Sequence, residues 1–326
     1  MVYYLASICN AEQVPHPDIV SESGRAIVAH HSVLIVEVLG AIAKQCDLPN
    51  LVYGDNEHAM VRELIDMKEN LDRRNKLETF HDALDRKERA QNMFTLGLLD
   101  LPDRAKIENL YWEIGEKVVQ SFRGHAHVPE EILRLEDSLC DQYLCNFSVF
   151  QSLLDHWALG QLFPIMPISR LDERPTREAI LVDITCDSDG QVDKFIDLRD
   201  VRHTLPLHKL VRGNGQSEPY YLGFFLLGAY QDIMGDLHNL FGRVNEIHVF
   251  LEPDEPCGYY VEEIIEGATI GQSLASVQYD ENELKRQMKA QVDEAIRTDR
   301  LKPSEAMRLL DEYEHGLKEY TYLAKH

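Results

Sequence analysis

Residues 179–187, AILVDITCD, followed directly by SDGQVDKFID at 188–197, are the stretch that decides the fold class. Apolar and β-branched residues run up to a Ser-Asp-Gly turn signal and then resume, a pattern typical of two short strands. Asp189-Gly190 lies between the two runs and predicts a tight hairpin. Similar short runs follow at 218–232 and 246–267, with EPYYLGFFLLGAYQD and EIHVFLEPDEPCGYYVEEIIEG. This part of the chain is therefore predicted to form a β domain.

The regions around these strands differ in pattern. Residues 48–142 are charged, Leu-spaced and poor in glycine, which indicates a helical insertion with helix starts at Pro102 and Pro129. Residues 143–274 are interpreted as a packed connecting segment, to about Leu171, and the β domain. Residues 275–326 return to amphipathic helices with a break at Pro303, a terminal helical hairpin. The helical repeats are set by Val61, Leu64, Ile65 and Lys68, and again by Ile107, Leu110, Ile114 and Val118.

The first 47 residues predict two extended stretches joined at Gly24, within DIVSESGRAIVAHHSVLIVEVLGAIAK at 18–44. A strand so near the first residue has no preceding neighbour to satisfy its backbone groups. The chain is therefore expected to begin in mid-fold. The fold class predicted is α+β in several parts, with a sandwich-like or barrel-like β domain.

Composition narrows the functional classes. The 326 residues are 44% hydrophobic, enough for two or more folding units. A formal net charge of −23 disfavours a nucleic-acid partner, and no apolar run is long enough to predict a membrane span. Six scattered cysteines without CxxC pairs are typical of reduced thiols in a cytoplasmic protein.

Several motifs favour a structural interpretation. His125-Ala126-His127 has no further ligand at metal-binding spacing and is interpreted as a surface loop. Gly213-Asn214-Gly215 lacks the third glycine and the strand-turn-helix context of a dinucleotide site, so it is read as a flexible loop. Neither a Walker sequence nor GxSxG occurs in the chain.

Four short stretches carry groups suited to chemistry. Glu22-Ser23-Gly24-Arg25 joins a carboxylate, a permissive glycine and a guanidinium, which suits a ligand with a cationic ring nitrogen and a phosphate. Cys186-Asp187-Ser188-Asp189 presents a thiol and two carboxylates at the end of a strand, a setting for proton transfer beside a cation. Tyr230 could donate to a phosphate, and residues 237–242, with Asn239 and Phe241, could form a pocket wall. Taken alone, each stretch is more often purely structural, as a turn or as part of the core.

Together and in order, these stretches resemble a known family. ESGRAIVAHHSVL, NFSVFQS, DHWALGQLFPIMPI, DITCDSDG, LGFFLLGAYQDIMGDLHNLFG and YTYL closely resemble the biosynthetic arginine decarboxylases. These are pyridoxal-phosphate enzymes of the alanine-racemase-like fold, related to ornithine and diaminopimelate decarboxylases. Leu154 departs from the expected proline, which puts the local turn in doubt. The long helical insertion disfavours the smaller relatives.

The resemblance implies a fold and roles. Residues 1–47 would end a cofactor-binding (β/α)8 barrel and cross into the β domain, and L-arginine would lose CO2 to give agmatine in polyamine biosynthesis. The implied cofactors are pyridoxal 5′-phosphate and Mg2+, the latter without a motif, and the implied assembly is a homodimer or larger homo-oligomer with shared active sites. The implied cofactor-binding residues are Glu22 at the ring nitrogen and Gly24, Arg25 and Tyr230 at the phosphate. The implied catalytic residues are Cys186 and Asp187, with Asp189, Asn239 and Phe241 as weaker pocket residues.

The family's Schiff-base lysine lies in the early barrel, and no segment of this chain resembles that region. The chain is therefore expected to be an N-terminally truncated form of the enzyme, inactive when isolated. The alternative is a non-catalytic partner or regulatory subunit of a complete decarboxylase.

Overall fold

The structure is a computed structural model and describes residues 1–43, 53–54, 56–122, 128–198, 200–213 and 216–324. The α+β fold class is confirmed. His125-Ala126-His127 and Asn214-Gly215 lie outside the described residues.

The N-terminal region differs from the prediction of two extended stretches. Helix α1 (Val2–Glu12) comes first, Gly24 begins the short helix α2 (Gly24–Val28), and only the second stretch is a strand, β1 (Val33–Ile42). Pro15 and Pro17 precede the first predicted stretch, and proline has no N–H for a sheet ladder. The prediction of a strand before Gly24 was therefore wrong, and Arg25 lies in a helix rather than at a strand end.

The described part of residues 48–142 forms a layer of four α-helices. They are α3 (Ala59–Glu69), α4 (Lys76–Thr95), α5 (Leu101–Phe122) and α6 (Glu130–Ser138). Pro102 lies in the first turn of α5 and Pro129 is the N-cap of α6, as predicted. Most of the predicted apolar positions are almost fully buried, as Leu64 and Ile114 show, and Ile65 is half-buried. This layer has its own hydrophobic core, separate from that of the sheet.

A seven-stranded sheet forms the second core. Its strands are β1, β2 (Asp141–Cys145), β3 (Ile165–Pro167), β4 (Arg177–Val182), β5 (Gln191–Val192), β8 (Leu205–Leu207) and β11 (Tyr221–Phe225). The order is β3-β11-β1-β2-β4-β5, with β8 also on β4; β2 and β4 are parallel and the other pairs antiparallel. The rings of Phe147 and Phe224 meet in its core at 5.2 Å between centroids.

The segment predicted to connect the domains contributes to this sheet. The boundary between residues 142 and 143 divides β2, and β3 and two short helices follow, α7 (Val149–Ser152) and α8 (Leu154–Leu159). Strand β2 is buried or half-buried along its whole length. Its sequence therefore lacks the polar alternation of a half-exposed strand, which hid it from the pattern.

The prediction of a tight turn at Asp189-Gly190 was wrong, although the two strands that it joins do form a hairpin. Strands β4 and β5 do pair antiparallel, with Leu181 opposite Val192, but residues 183–190 form an eight-residue loop between them. The loop begins with a local turn, because Asp183 accepts hydrogen bonds from the N–H and hydroxyl of Thr185. Cys186 consequently lies within this loop and not at the strand's end.

Three small two-stranded sheets and four further helices complete the described chain. The strands are β6 (Phe195–Ile196), β7 (Val201–Arg202), β9 (Arg212–Gly213), β10 (Gln216–Ser217), β12 (Glu246–Leu251) and β13 (Tyr259–Ile265). The helices are α9 (Gln231–Met234), α10 (Ile270–Ser276), α11 (Glu281–Arg297) and α12 (Pro303–Gly316). The predicted break at Pro303 is confirmed. Helix α10 begins at Ile270, five residues before residue 275, where the helical region was predicted to start. No helix within the described residues is long and apolar enough to cross a membrane.

Candidate active site

The structure brings Gly24, Arg25 and Tyr230 together, although Arg25 and Tyr230 are 205 positions apart in the chain. The guanidinium carbon of Arg25 lies 5.2 Å from the centroid of the Tyr230 ring. A Cβ on Gly24 would lie 3.2 Å from the Tyr230 hydroxyl, so this position suits a residue without a side chain. With Asp155, these three residues are called the Arg25 cluster below.

Asp155 holds the guanidinium in place. Arg25 Nη2 donates to Asp155 Oδ2 at 2.5 Å, and the Asp155 side chain is buried. Gln231 supports Asp155, since its Nε2 donates to Asp155 Oδ2 at 2.8 Å and its Oε1 accepts from the Asp155 N–H at 3.1 Å. The other terminal nitrogen, Arg25 Nη1, is buried and has no hydrogen-bond partner in the described part of the chain. Such a donor suits an anionic ligand.

Glu22 is not brought into this cluster. It lies in the exposed segment before α2, two residues from Gly24. Within the described residues, no hydrogen bond or ion pair joins Glu22 to Arg25 or Tyr230. Its predicted role at the ring nitrogen therefore stays a prediction.

The second group forms around the loop after β4 and is called the Cys186 cluster below. The N–H of Cys186 donates to Asn239 Oδ1 at 3.2 Å, and Asn239 Nδ2 lies 3.5 Å from Cys186 Sγ. Asp187 Oδ2 forms an ion-pair contact with His238 Nε2. Trp157 Nε1 donates to Asp189 Oδ2 at 3.3 Å. Cys186 is exposed, so the thiol is accessible to a ligand or a partner.

Aromatic rings pack against the residues of the Cys186 cluster. The Phe150 ring lies 4.6 Å from the His238 ring and 5.2 Å from the Trp157 ring, centroid to centroid. Phe241, which the sequence grouped with Asn239, instead packs on Tyr322 at 5.2 Å. Of the two weaker pocket candidates in residues 237–242, only Asn239 contacts Cys186.

Helix α8 connects the two clusters, because it carries both Asp155 and Trp157. Residues two positions apart in a helix are rotated by about 200°, so their side chains leave on different sides. Asp155 contacts Arg25 on one side, and Trp157 contacts Asp189 on the other. The two clusters therefore flank one short helix.

Burial shifts two titratable groups beside the clusters. Burial lowers the pKa of His156, the residue between Asp155 and Trp157, although its contact with the Gln161 carbonyl opposes this. Burial raises the pKa of Asp183, against hydrogen bonds from Val149 and Thr185. Asp183 fixes the start of the Cys186 loop, because its Oδ2 also accepts the Val149 N–H at 2.8 Å.

Sequence reasoning assigned no individual role to Asp155, Trp157, Gln231 or His238. All four lie in stretches already noted for their resemblance to the family, DHWALGQLFPIMPI and LGFFLLGAYQDIMGDLHNLFG. The available signal was an acid and an indole, Asp155 and Trp157, within one short apolar stretch. Neighbouring residues did not indicate which side chains they would contact. No group of three or more metal-ligating side chains occurs among the described residues, and the expected Mg2+ stays a prediction.

Comparisons with known proteins agree with this architecture. Residues 54–135 match the family described as the arginine decarboxylase helical bundle domain. Residues 270–323 match the family described as the arginine decarboxylase C-terminal helical extension. Among solved structures, the biosynthetic arginine decarboxylase from Campylobacter jejuni aligns with a TM-score of 0.76 at 33% identity, covering 99% of this chain and 51% of that one. The fold of this chain therefore matches about half of that decarboxylase.

Curated relatives give the same answer. Biosynthetic arginine decarboxylases of Bacteroides thetaiotaomicron and Deinococcus radiodurans are each 45% identical to this chain, over 98% and 99% of it. The matches cover 50% and 48% of those proteins, so the chain spans about half the length of the relatives it matches. The chain belongs to the biosynthetic arginine decarboxylase family.

Proposed function

We propose that this chain forms the distal part of a pyridoxal-phosphate-dependent lyase that converts L-arginine to agmatine and CO2 in polyamine biosynthesis. The observation that carries the proposal is the Arg25 cluster, in which Nη1 is buried beside Gly24 and Tyr230 and has no hydrogen-bond partner among the residues that the structure describes. In this proposal residues 1–47 complete a (β/α)8 barrel and enter the β domain through β1.

The cofactor's phosphate fits the Arg25 cluster. Arg25 Nη1 offers a buried N–H donor, the Tyr230 hydroxyl a second donor, and Gly24 leaves room beside them. Asp155 keeps the guanidinium in position through Nη2 and leaves Nη1 for the anion. Glu22 is proposed to face the pyridine nitrogen, where a carboxylate favours the protonated ring. When bound, the cofactor supplies an electron sink for the carbanion that remains after CO2 leaves.

Cys186 is proposed to return a proton to the α-carbon. Its Sγ is exposed and lies near a polarised N–H of Asn239, which can stabilise the sulfur once its proton has left. Asp187 is proposed to bind the substrate guanidinium, for which two carboxylate oxygens are a geometric match. The His238 contact uses one carboxylate oxygen of Asp187 and orients the group. Asp189 and Asn239 complete the polar wall, and Phe241 is proposed to support it.

An assembly of two or more copies with shared sites is part of the proposal. Cys186 and Asp187 lie in a loop that faces away from the chain's own core, so a second subunit could receive them. The hairpin of β12 and β13 exposes apolar side chains on both faces, as Ile247 and Phe250 show, and such surfaces favour burial against another subunit. A cytoplasmic location is proposed from the reduced thiols.

A chimera tests the proposed function. The N-terminal part of the Bacteroides thetaiotaomicron relative, up to the matching region, is joined to this chain and assayed for CO2 release from arginine, ornithine and lysine. We expect arginine to be decarboxylated at a rate close to that of the intact relative and well ahead of the other two. A chimera that folds and binds pyridoxal phosphate but releases no CO2 from arginine would contradict the proposal, and equal kcat/KM on ornithine would contradict the substrate assignment.

A further inference from the structure

Residues 320–323, YTYL, form a C-terminal tail that packs beside the Cys186 cluster. Tyr322 Oη donates to the Gly242 carbonyl at 2.9 Å, and Thr321 Oγ1 accepts from the Gly242 N–H at 3.0 Å. The tail thus binds both polar groups of one residue. Gly242 directly follows Phe241, the last residue of the turn at 238–241.

The tail is itself fixed to the sheet. Asn146, the residue after β2, donates through Nδ2 to the Leu323 carbonyl at 2.7 Å and accepts from the Leu323 N–H at 3.1 Å. The hydroxyl of Tyr320 accepts from the Asn245 N–H at 3.1 Å. The tail therefore joins the end of a central strand to residues 242–245.

The turn at 238–241 needs such support. Asn239 and Leu240 both have left-handed backbone angles, with φ of 55° and 61°. Asparagine tolerates this region, but leucine rarely adopts it unless its surroundings impose it. Asn239 is held on one side by Cys186, and the Phe241 ring packs on Tyr322 at 5.2 Å on the other.

The tail and residues 238–242 are tightly packed where they meet. Tyr322 is 5% exposed, and burial raises the pKa of its phenol, so the hydroxyl remains a donor. A Cβ on Gly242 would lie 2.2 Å from that of Ala268, so Gly242 is packed closely on its other side.

We propose that the C-terminal tail is a positioning element for the Cys186 thiol, acting through residues 238–242 and the Asn239 amide. Tyr322 is its central positioning residue, because it contacts both Phe241 and Gly242. The contact of Tyr322 with Phe241 and Gly242 is present whatever the chain does. Its effect on proton return from Cys186 rests on the proposed function.

Amide hydrogen exchange of this chain tests the coupling. Tyr322→Phe removes one hydroxyl and should raise exchange about fivefold at both Gly242 and Cys186, the effect of losing one buried hydrogen bond. Tyr279→Phe removes a hydroxyl from an exposed tyrosine and is the matched control, for which we expect no change. A chain ending at Glu319 should give a larger change in the same direction. Faster exchange at Gly242 with wild-type exchange at Cys186 would overturn the proposal.

The chimera gives the functional readout. Tyr322→Phe should lower kcat several-fold while the dissociation constant of pyridoxal phosphate and the KM for arginine stay unchanged. An unchanged kcat in an active chimera would overturn the positioning role. An inactive parent chimera, with exchange at Cys186 still coupled to Tyr322, would instead count against the proposed function and leave the tail contact supported.

Discussion

The Arg25 cluster and the Cys186 cluster lie on two sides of one short helix, but the chain completes them to different degrees. Asp155 and Gln231 are both 3% exposed, and they hold Arg25 through a partly buried Arg25–Asp155 hydrogen bond and a buried Gln231–Asp155 hydrogen bond. In contrast, Cys186 is exposed and its neighbours come from two loops. A fixed guanidinium with a buried Nη1 donor suits a permanently bound anion, whereas an exposed thiol suits a group that meets a transient substrate.

This difference indicates that the two clusters have separate roles. The first cluster is proposed to bind the cofactor and the second to act on the substrate, so substitutions in the two should change different measured quantities. The predictions below use the chimera unless another protein is named, and they run from the largest expected effect to the smallest.

Cys186→Ala should lower kcat by about 10²- to 10⁴-fold, the usual contribution of a positioned proton donor. Cysteine is small and exposed here, so the fold should be unaffected. Steady-state kinetics with product analysis measure the effect, and Cys257→Ala, at another exposed cysteine, is the control. A near-wild-type rate with agmatine as product would make the thiol structural.

Asp187→Ala should raise the KM for arginine strongly, since leaving a charged partner unpaired costs about 2 to 5 kcal/mol. Pyridoxal phosphate binding should not change. Asp254→Ala, in the exposed tip of the β12–β13 hairpin, is the control. If KM stays at the parent value, the substrate guanidinium is bound elsewhere.

Shared sites are tested by mixing subunits. An Asp187→Ala subunit is co-assembled with one whose N-terminal part lacks the cofactor-binding lysine. Complementation across the interface should restore about one functional site in each mixed dimer. Proven mixed assembly without recovered activity would show that Asp187 serves its own chain.

Tyr230→Phe should raise the dissociation constant of pyridoxal phosphate about 2- to 10-fold, the range expected for one lost hydrogen bond of about 0.5 to 1.5 kcal/mol. The ring stays beside Arg25, so its contact with the guanidinium is kept. Equilibrium dialysis measures the effect. Unchanged affinity would remove the Tyr230 hydroxyl from the phosphate site.

His156→Asn should change the pH dependence of stability in the chain itself. Burial lowers the pKa of His156, so the unfolded chain binds the proton more tightly, and the folded state loses stability as pH falls below about 6.5. One such group contributes at most about 1.4 kcal/mol per pH unit. Asparagine does not titrate and can still donate to the Gln161 carbonyl, so urea midpoints at pH 7.5 and 5.5 should lie closer together in the variant. An equal separation in both proteins would contradict the assignment.

Local patterns predicted more of the fold than of the site. The buried positions Leu64 and Ile114 follow from helical spacing, which depends only on nearby residues. Strand β2 and the loop at 183–190 were missed because burial on both faces and a side-chain-capped turn leave no clear period. The pairing of Arg25 with Asp155 joins residues 130 positions apart, and no local pattern could predict it. The resemblance to the family singled out Cys186 and Tyr230 but not the groups that hold them.

The central claim is the division between a cofactor cluster and a substrate cluster, and the dissociation constant of pyridoxal phosphate tests it most directly. Arg25→Lys keeps a positive charge beside Asp155 but loses the Nη1 donor. We predict that it raises the dissociation constant about 10- to 100-fold, the effect of losing a charge-assisted hydrogen bond of about 1.5 to 3 kcal/mol, while Cys186→Ala leaves it within about twofold. Equal affinity in Arg25→Lys and the parent, or an equal loss in both variants, would contradict the account.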